Sequence, residues 1–311
     1  MEPEQALGPQ NPGDGPLLRR VRLHQSWYRA TVLGLPRWGT TRGRSPRQLG
    51  SVLCEQDAAA GLNFVSLAVK QLYDARHAAG WGIDPSSMAY MTSSQALTIN
   101  LFGLLSQDDA WLLRCLNEWL GRVDLTSIDT VELEFAPARR SQHLNDQTRI
   151  DVLVVVAGAR GTEVVAIEIK YTDRFNSRYV DISTPSYREL AMNSGIWADP
   201  THVLTDRRVN QLTRIHALAT SHGLSLNIRT PVSLLVLAHE LDTSAGQIVN
   251  KYRECVTTSV VQLISLRTAC ESIATTAPPS QRTTARLLQL RYGDEHVSAW
   301  PQPSPRSSSL R

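Results

Sequence analysis

Two acidic residues and one lysine lie where a β-hairpin could bring their side chains together. They are Asp151, Glu168 and Lys170. Carboxylate oxygens are the ligands that Mg²⁺ prefers, and one or two of them suffice when water and phosphate oxygens complete the coordination. Such an ion polarises a phosphoryl group and lowers the pKa of a bound water, while an ammonium can neutralise charge that develops on the phosphate. These residue types therefore indicate metal-assisted hydrolysis of a phosphodiester. The alternative is a hairpin whose charges simply face solvent.

The elements that must position these residues are two predicted strands, residues 150–157 and 163–170. Both segments are short, apolar and rich in β-branched side chains, which is typical of strands. The tetrapeptide 158–161 between them begins and ends with glycine, and glycine accepts the positive φ that a tight turn requires. A turn centred in this tetrapeptide places Asp151 directly opposite Glu168. Directly opposed like charges destabilise an antiparallel pair. A bound cation would remove this repulsion and would explain why two acids occupy these positions.

The pleat of a strand decides which side chains share a face. Successive side chains alternate, so Glu168 and Lys170 are expected on one face, while Ile167 and Ile169 pack on the other. A slip of one residue in the pairing would turn Asp151 to the wrong face. The register is therefore a prediction that a structure tests directly.

Further segments accompany the hairpin, and they are Ser93–Phe102, Val131–Phe135, Ile167–Tyr171 and Asn210–Leu212. Together with Asp151 and the Glu-x-Lys run, they resemble the PD-(D/E)XK nuclease superfamily, and in particular bacterial restriction-endonuclease-like proteins. The resemblance runs over about residues 20–240. One departure is Ile150, which stands where the family often has proline.

This resemblance implies a fold, a cofactor and a set of roles. The fold is α/β: a restriction-endonuclease-like core with a mixed β-sheet flanked by helices, and helical extensions at the N- and C-terminal ends. In the family pattern the hairpin Asp and the Glu of E-x-K bind metal, and the Lys is catalytic. Those roles carry over to Asp151, Glu168 and Lys170. The expected cofactor is Mg²⁺, with Mn²⁺ as a substitute.

Three other residues could contribute to the site, since either of two glutamates could add a carboxylate. Glu132 and Glu134 lie on one face of the strand predicted before the hairpin; because sites of the family often include a further acid, Glu134 is the expected third metal ligand, and a solvated strand face is the alternative. Gln211 lies on a predicted helix, residues 205–222, and could position a nucleotide or a water. An ordinary surface glutamine is the alternative there. Some relatives carry Q-x-x-x-Y, but Ile215 occupies the tyrosine position here.

Basic residues near these elements are expected to contact DNA. They are Arg139, Arg140 and His143 in the loop 136–148, and Arg207, Arg208 and Arg214 on the predicted helix. A second basic segment lies between Asp14 and Glu55, where eight arginines occur without an acid, although the net charge of the whole chain is only +3. Such segregation predicts a surface that faces phosphates; a flexible arginine-rich segment is the alternative. Trp27, Tyr28 and Trp38 in it could stack on bases or anchor it to the core.

Composition limits the remaining possibilities. The chain has 311 residues and four cysteines without a C-x-x-C spacing, which argues against a zinc ribbon or a disulfide framework. It has no apolar stretch long enough to span a membrane, so we expect a cytoplasmic protein without a membrane partner. The predicted parts are a disordered tail (1–16), a basic helical extension (17–105), the nuclease core (106–240), a C-terminal α/β part that completes the domain (241–298) and a second disordered tail (299–311).

The sequence thus favours a Mg²⁺-dependent DNA endonuclease with a role in restriction or defence, and a homodimer as the assembly that would cut both strands. Two alternatives stay open. One is a catalytically inactive nucleic-acid-binding protein with a nuclease fold, and the other is a metal-dependent hydrolase of another phosphoester.

Overall fold

A computed structural model describes residues 3–80, 82–175, 179–257 and 260–298. The helices are α1 (Pro3–Leu7), α2 (Pro16–Trp27), α3 (Glu55–Ala59), α4 (Leu67–Ala78), α5 (Ser94–Leu105), α6 (Asp109–Leu120), α7 (Pro185–Ser194), α8 (Pro200–Thr205), α9 (Asn210–Ser225), α10 (Thr243–Arg253), α11 (Leu266–Thr275) and α12 (Arg282–Tyr292). The strands are β1 (Gly39–Thr40), β2 (Gln48–Leu49), β3 (Leu125–Phe135), β4 (Ile150–Gly158), β5 (Gly161–Lys170), β6 (Ser233–Ala238) and β7 (Val261–Ser265). The tail predicted for residues 299–311 lies outside the described residues.

A five-stranded sheet with the order β3-β4-β5-β6-β7 forms the centre of the protein. Strands β3, β4 and β5 pair antiparallel, whereas β5, β6 and β7 pair parallel. Helices α5, α6 and α11 pack against one face of the sheet and share a hydrophobic cluster with it. Helices α9 and α10 pack against the opposite face, where a second hydrophobic cluster lies. The predicted mixed sheet flanked by helices is therefore confirmed.

Strand β4 shows why the sequence forms a central strand. Val152, Val154 and Val156 belong to the hydrophobic cluster that contains α5 and α6, while Leu153 and Val155 belong to the cluster on the opposite face. A strand buried on both faces reads as a continuous apolar run rather than an alternating one. The apolar segment of β4 therefore fixes its place inside the sheet.

The hairpin between β4 and β5 has the predicted register. Val152 pairs with Ile167, and the pairing continues without a shift to Gly158 and Gly161 at the turn. Ile167 and Ile169 lie in the cluster with α5 and α6. The alternation predicted for this strand is confirmed, because those two side chains are buried on the face opposite to the one expected for the charged residues.

The N-terminal segment differs from the prediction. We expected residues 1–16 to be disordered, because they are rich in proline, glycine and glutamine. In the structure α1 forms within this segment, and Asp14 is buried at 6% exposure and pairs with Arg22 at 2.9 Å. Arg29 also donates a hydrogen bond to the carbonyl of Ala6. Partners from the basic segment supply the order that local composition did not predict.

Part of the basic segment is structural. Arg29 is fully buried and donates hydrogen bonds to backbone carbonyls, including that of Gly50 at 2.7 Å. Arg20 pairs with Glu295 at 3.4 Å. Tyr28 is 2% exposed and therefore anchors the segment instead of facing solvent. The picture of a wholly flexible arginine-rich segment is wrong, since several of these arginines hold the fold together.

The N- and C-terminal regions meet over the core. Gln25 of α2 donates hydrogen bonds to the hydroxyl of Tyr171 at 2.8 Å and to the carbonyl of Arg291 at 3.0 Å. Asn100 of α5 donates to the hydroxyl of Tyr292 at 2.9 Å. These bonds tie the end of β5 to both extensions. No helix among the described residues has the length and apolar character needed to cross a membrane.

Candidate active site

Asp151 lies where β4 and β5 stop pairing through their backbones. The ladder ends with Val152 and Ile167. Beyond this pair the link between the strands is made by a side chain, because Oδ2 of Asp151 accepts a hydrogen bond from the N–H of Ile169 at 2.7 Å. The carboxylate is thus held between two strand ends by a bond that orients it.

Glu134 lies opposite Asp151 on β3, the strand that flanks β4 on the side away from β5. The pairs Leu133–Val152 and Phe135–Ile150 bracket it in the ladder between β3 and β4. Its φ is +51°, a conformation that is uncommon for residues other than glycine. Leu133 and Phe135 pack in clusters on opposite faces of the sheet, although they are two residues apart. The alternation of side chains between the two faces of the sheet is therefore interrupted at Glu134. Strained backbone positions of this kind often mark functional sites.

A row of carboxylates therefore crosses three neighbouring strands: Glu134 on β3, Asp151 on β4 and Glu168 on β5. Burial raises the pKa of Asp151 well above its usual value, and the negative charges of Glu168 and Glu134 raise it further, against the opposing effect of Lys170. Burial also raises the pKa of Glu168, while Lys170 opposes that change. The negative charges of Glu168 and Glu134 thus disfavour a charged Asp151, and a cation would relieve that repulsion.

Lys170 is held between the acids rather than in solvent. It is 5% exposed, and its Nζ lies 2.8 Å from Oε1 of Glu168 and 3.0 Å from Oδ2 of Asp173. The ammonium also lies over the ring of Phe175, 4.9 Å from its centroid. Burial alone would lower the pKa of Lys170, but Glu168, Asp173 and Asp151 outweigh it and raise the pKa above the usual value. The side chain is therefore a charged ammonium at neutral pH.

Gln211 reaches the same group of side chains from helix α9, which packs against the sheet. It is the second residue of α9, and its Nε2 donates to Oε1 of Glu168 at 2.7 Å. Lys170 contacts that same oxygen. Among the described residues, Oε2 of Glu168 and Oδ1 of Asp151 accept no hydrogen bond. Two carboxylate oxygens thus remain for another ligand.

The donor set suits a hard cation in its chemistry, although the carboxylates do not form a complete cage. Within the described ranges, no three His, Cys, Asp or Glu side chains are grouped so that they could hold a metal ion by themselves. Mg²⁺ keeps several waters and is usually bound by one or two carboxylates together with substrate phosphates. Asp151 and Glu168, with Glu134 beside them, match that requirement.

Some neighbours of the cluster were missed by sequence reasoning. Burial raises the pKa of Glu134, and the side chain of Gln95, near the N-terminus of α5, opposes that change together with the charge of Arg149. Asp173 is the second partner of Lys170. Gln95 lies within the segment Ser93–Phe102 that carried the resemblance, and that segment is the signal that could have found it. Neither Arg149 nor Asp173 belongs to a motif.

The residues predicted to contact DNA lie in different surroundings. Arg139 is exposed and Arg140 half-buried, in the loop that joins β3 to β4 at the end carrying Glu134 and Asp151. Nδ1 of His143 lies 3.0 Å from the hydroxyl of Ser221, and burial lowers the pKa of His143, which favours its neutral form.

The three arginines predicted on the helix also separate. Helix α9 begins at Asn210, so Arg207 and Arg208 precede it instead of lying on it. Arg208 pairs with Asp206 at 2.7 Å. Arg214 is on the helix, but its side chain is only 12% exposed and forms a two-pronged ion pair with Asp146, at 2.8 and 2.5 Å. The structure thus brings Arg214 to Asp146 and not to the carboxylate row.

Comparisons with known proteins agree with this geometry at the level of a family. A family model described as PD-(D/E)XK nuclease superfamily matches residues 12–294. A search of the curated proteins and a search of the solved structures each gave no match. The match covers the carboxylate row, Lys170 and Gln211 together.

Proposed function

The chain belongs to the PD-(D/E)XK nuclease superfamily, and we propose that it is a Mg²⁺-dependent DNA endonuclease. The observation that carries this proposal is the row of Glu134, Asp151 and Glu168 across three strands, with the ammonium of Lys170 inserted beside it. Such a combination of buried acids and a buried cation is costly. A bound metal would offset the charges of the acids, and a bound phosphate would offset the charge of the ammonium.

Each residue would have a distinct part. Asp151 and Glu168 would hold the ion through Oδ1 and Oε2, and Glu134 would supply a further carboxylate. Mg²⁺, or Mn²⁺ in its place, supplies polarisation of the scissile phosphate and a lowered pKa for water. Lys170 would neutralise charge on the phosphate, since its raised pKa keeps it protonated. Gln211 would hold Oε1 of Glu168, which leaves Oε2 directed to the ion.

Basic side chains support a polymeric, negatively charged substrate. Arg139 and Arg140 lie in the loop next to the site, and Arg207 lies shortly before the helix that carries Gln211. An open cavity of about 530 Å³, lined by Arg42 and Asp173 among others, adjoins Lys170 through the ion pair that Asp173 makes. We therefore include Arg139, Arg140, His143, Arg207, Arg208 and Arg214 as proposed DNA contacts, with Arg214 contributing mainly by holding its helix.

A role in restriction or defence, in the cytoplasm, is the biological setting that we propose by analogy with the family. A homodimer would place two such sites on opposite strands, so that both strands of a duplex could be cut.

The test is a cleavage assay on plasmid, linear duplex and single-stranded DNA with Mg²⁺, Mn²⁺ or EDTA. We expect cleavage with either metal and none in EDTA. Asp151→Asn should abolish it, whereas Asp129→Asn, an exposed acid on β3, should not.

A second candidate is a catalytically inactive DNA-binding protein with this fold. The absence of a three-ligand metal group in the described ranges favours it. DNA binding without cleavage in any metal would establish it in place of the nuclease.

A further inference from the structure

An exposed aromatic ring with a guanidinium stacked on it lies in the chain between β5 and α9. Tyr179 is 38% exposed, and Cζ of Arg207 lies 4.7 Å from the centroid of its ring. Arg207 is itself exposed. A guanidinium over an aromatic face is a favourable contact, and here it covers one face of a ring that remains partly in solvent.

Hydrogen bonds from helix α9 attach the backbone beside Tyr179 to the same helix turn that reaches the candidate active site. Asn210, the first residue of α9, is 1% exposed. Its side chain accepts a hydrogen bond from the N–H of Val180 at 3.2 Å and donates one to the carbonyl of Val180 at 2.9 Å. The next residue, Gln211, reaches Glu168. The backbone beside Tyr179 and the side chain that contacts the carboxylate row are therefore attached to the same turn of one helix.

No carboxylate of the described residues neutralises the charge of this pair. Arg207 forms no ion pair with a carboxylate among the described residues, whereas its neighbour Arg208 is paired with Asp206 at 2.7 Å. A surface pair without a counter-ion attracts an anion. A flat aromatic face together with an available cation matches a nucleotide, since bases stack on aromatic rings and phosphates bind arginine.

We propose that Tyr179 and Arg207 form a stacking platform for one unpaired base of the substrate strand, next to the phosphate that is cut. This inference rests on the proposed nuclease function and narrows its substrate. Bases inside a duplex are already stacked on both faces, so the platform takes a base that is unpaired or at a strand end. The substrate class is therefore a single strand, or a duplex with a frayed or flipped base, and stacking of this kind tolerates any base.

The test measures binding in EDTA, so that it does not depend on cleavage. Fluorescence anisotropy gives the affinity for a single-stranded oligonucleotide and for the matching blunt duplex, and the fluorescence of 2-aminopurine placed in the single strand reports stacking. Tyr179→Ala should weaken single-strand binding on the order of tenfold and remove the 2-aminopurine quenching. Tyr179→Phe should preserve both, because the ring is kept. Arg207→Ala should also weaken single-strand binding, whereas its matched control Arg229→Ala, at an exposed arginine before β6 at the opposite end of the parallel strands, should leave both values unchanged.

Two results would overturn the platform: single-strand affinity unaffected by Tyr179→Ala, or equal losses for the duplex and the single strand. Because Tyr179 is exposed, unchanged melting temperatures will show that the variants fold. The outcome separates from that of the nuclease proposal. If Tyr179→Ala loses base stacking but the wild type cleaves no DNA in any metal, the nuclease proposal is refuted and the platform is kept. If the wild type cleaves DNA but Tyr179→Ala binds the single strand normally, only the platform is refuted.

Discussion

Replacing Asp151 by asparagine should make the metal-free protein more stable while it destroys activity. The carboxylate faces Glu134 and Glu168 on its two neighbouring strands, and their charges raise its pKa in addition to the effect of burial. Asparagine keeps an oxygen that can accept the hydrogen bond from Ile169, but it removes the repulsion. The substitution thus separates the electrostatic cost of the site from its packing.

The magnitude follows from the register. Opposed side chains on adjacent strands lie about 5 Å apart, and two unit charges at that distance repel by about 3 kcal/mol at an effective dielectric constant of about 20. Attraction by Lys170 offsets part of this. We therefore expect Asp151→Asn to raise the free energy of unfolding by about 1–3 kcal/mol. Because the folded-state pKa of Asp151 lies above its unfolded value, the wild type loses stability as pH rises through that interval, and the gain should grow with pH.

The assay is urea denaturation in EDTA at pH 6 and pH 8.5, with Asp129→Asn as the surface control. Adding Mg²⁺ should stabilise the wild type through binding to the folded state and should stabilise Asp151→Asn much less. If Asp151→Asn is equally or less stable than the wild type at both pH values, the carboxylates do not repel one another and the reasoning fails.

Other predictions address single contacts. Gln211→Ala should lower the cleavage rate by roughly tenfold, because Glu168 loses an orienting hydrogen bond; an unchanged kcat would remove Gln211 from the site. Arg214→Ala should cost about 3 kcal/mol of unfolding free energy, since it leaves buried Asp146 without its charged partner, with only the hydroxyl of Tyr187 and the N–H of Thr148 still donating to it; urea denaturation measures this, and normal stability with weakened DNA binding would contradict it. Burial lowers the pKa of His24 to about 4, below its unfolded value, so stability present above about pH 6.5 should fall towards pH 4 by up to about 3 kcal/mol. His24→Gln should flatten that loss, and an identical pH profile would refute it.

The sequence predicted the hairpin of the site for identifiable reasons. The glycines at residues 158 and 161 set the turn, and the alternation around Glu168 and Lys170 set the face. Both are local signals, and the register found between β4 and β5 agrees with them. The position of Glu134 opposite Asp151 depends on a positive φ that no residue type in the segment indicates.

Other features were not predictable because their causes are distant in the chain. Order in residues 3–16 depends on Arg22 and Arg29, which bind Asp14 and Ala6 after the chain folds; residues 1 and 2 lie outside the described residues. Composition could report only that the segment is rich in proline and glycine. In the same way, the pairing of Arg214 with Asp146 joins residues that share no motif, so no sign of this ion pair is present in the sequence.

We propose that Asp151 and Lys170 act as parts of one nuclease site. The most direct measurement is the rate of DNA cleavage in Mg²⁺ by Asp151→Asn, Lys170→Met and the double variant. Residues that act as a unit are strongly non-additive. We predict that each single variant falls to the background rate and that the double variant is no slower. Cleavage at the wild-type rate by either single variant, or losses that multiply in the double variant, would contradict the claim.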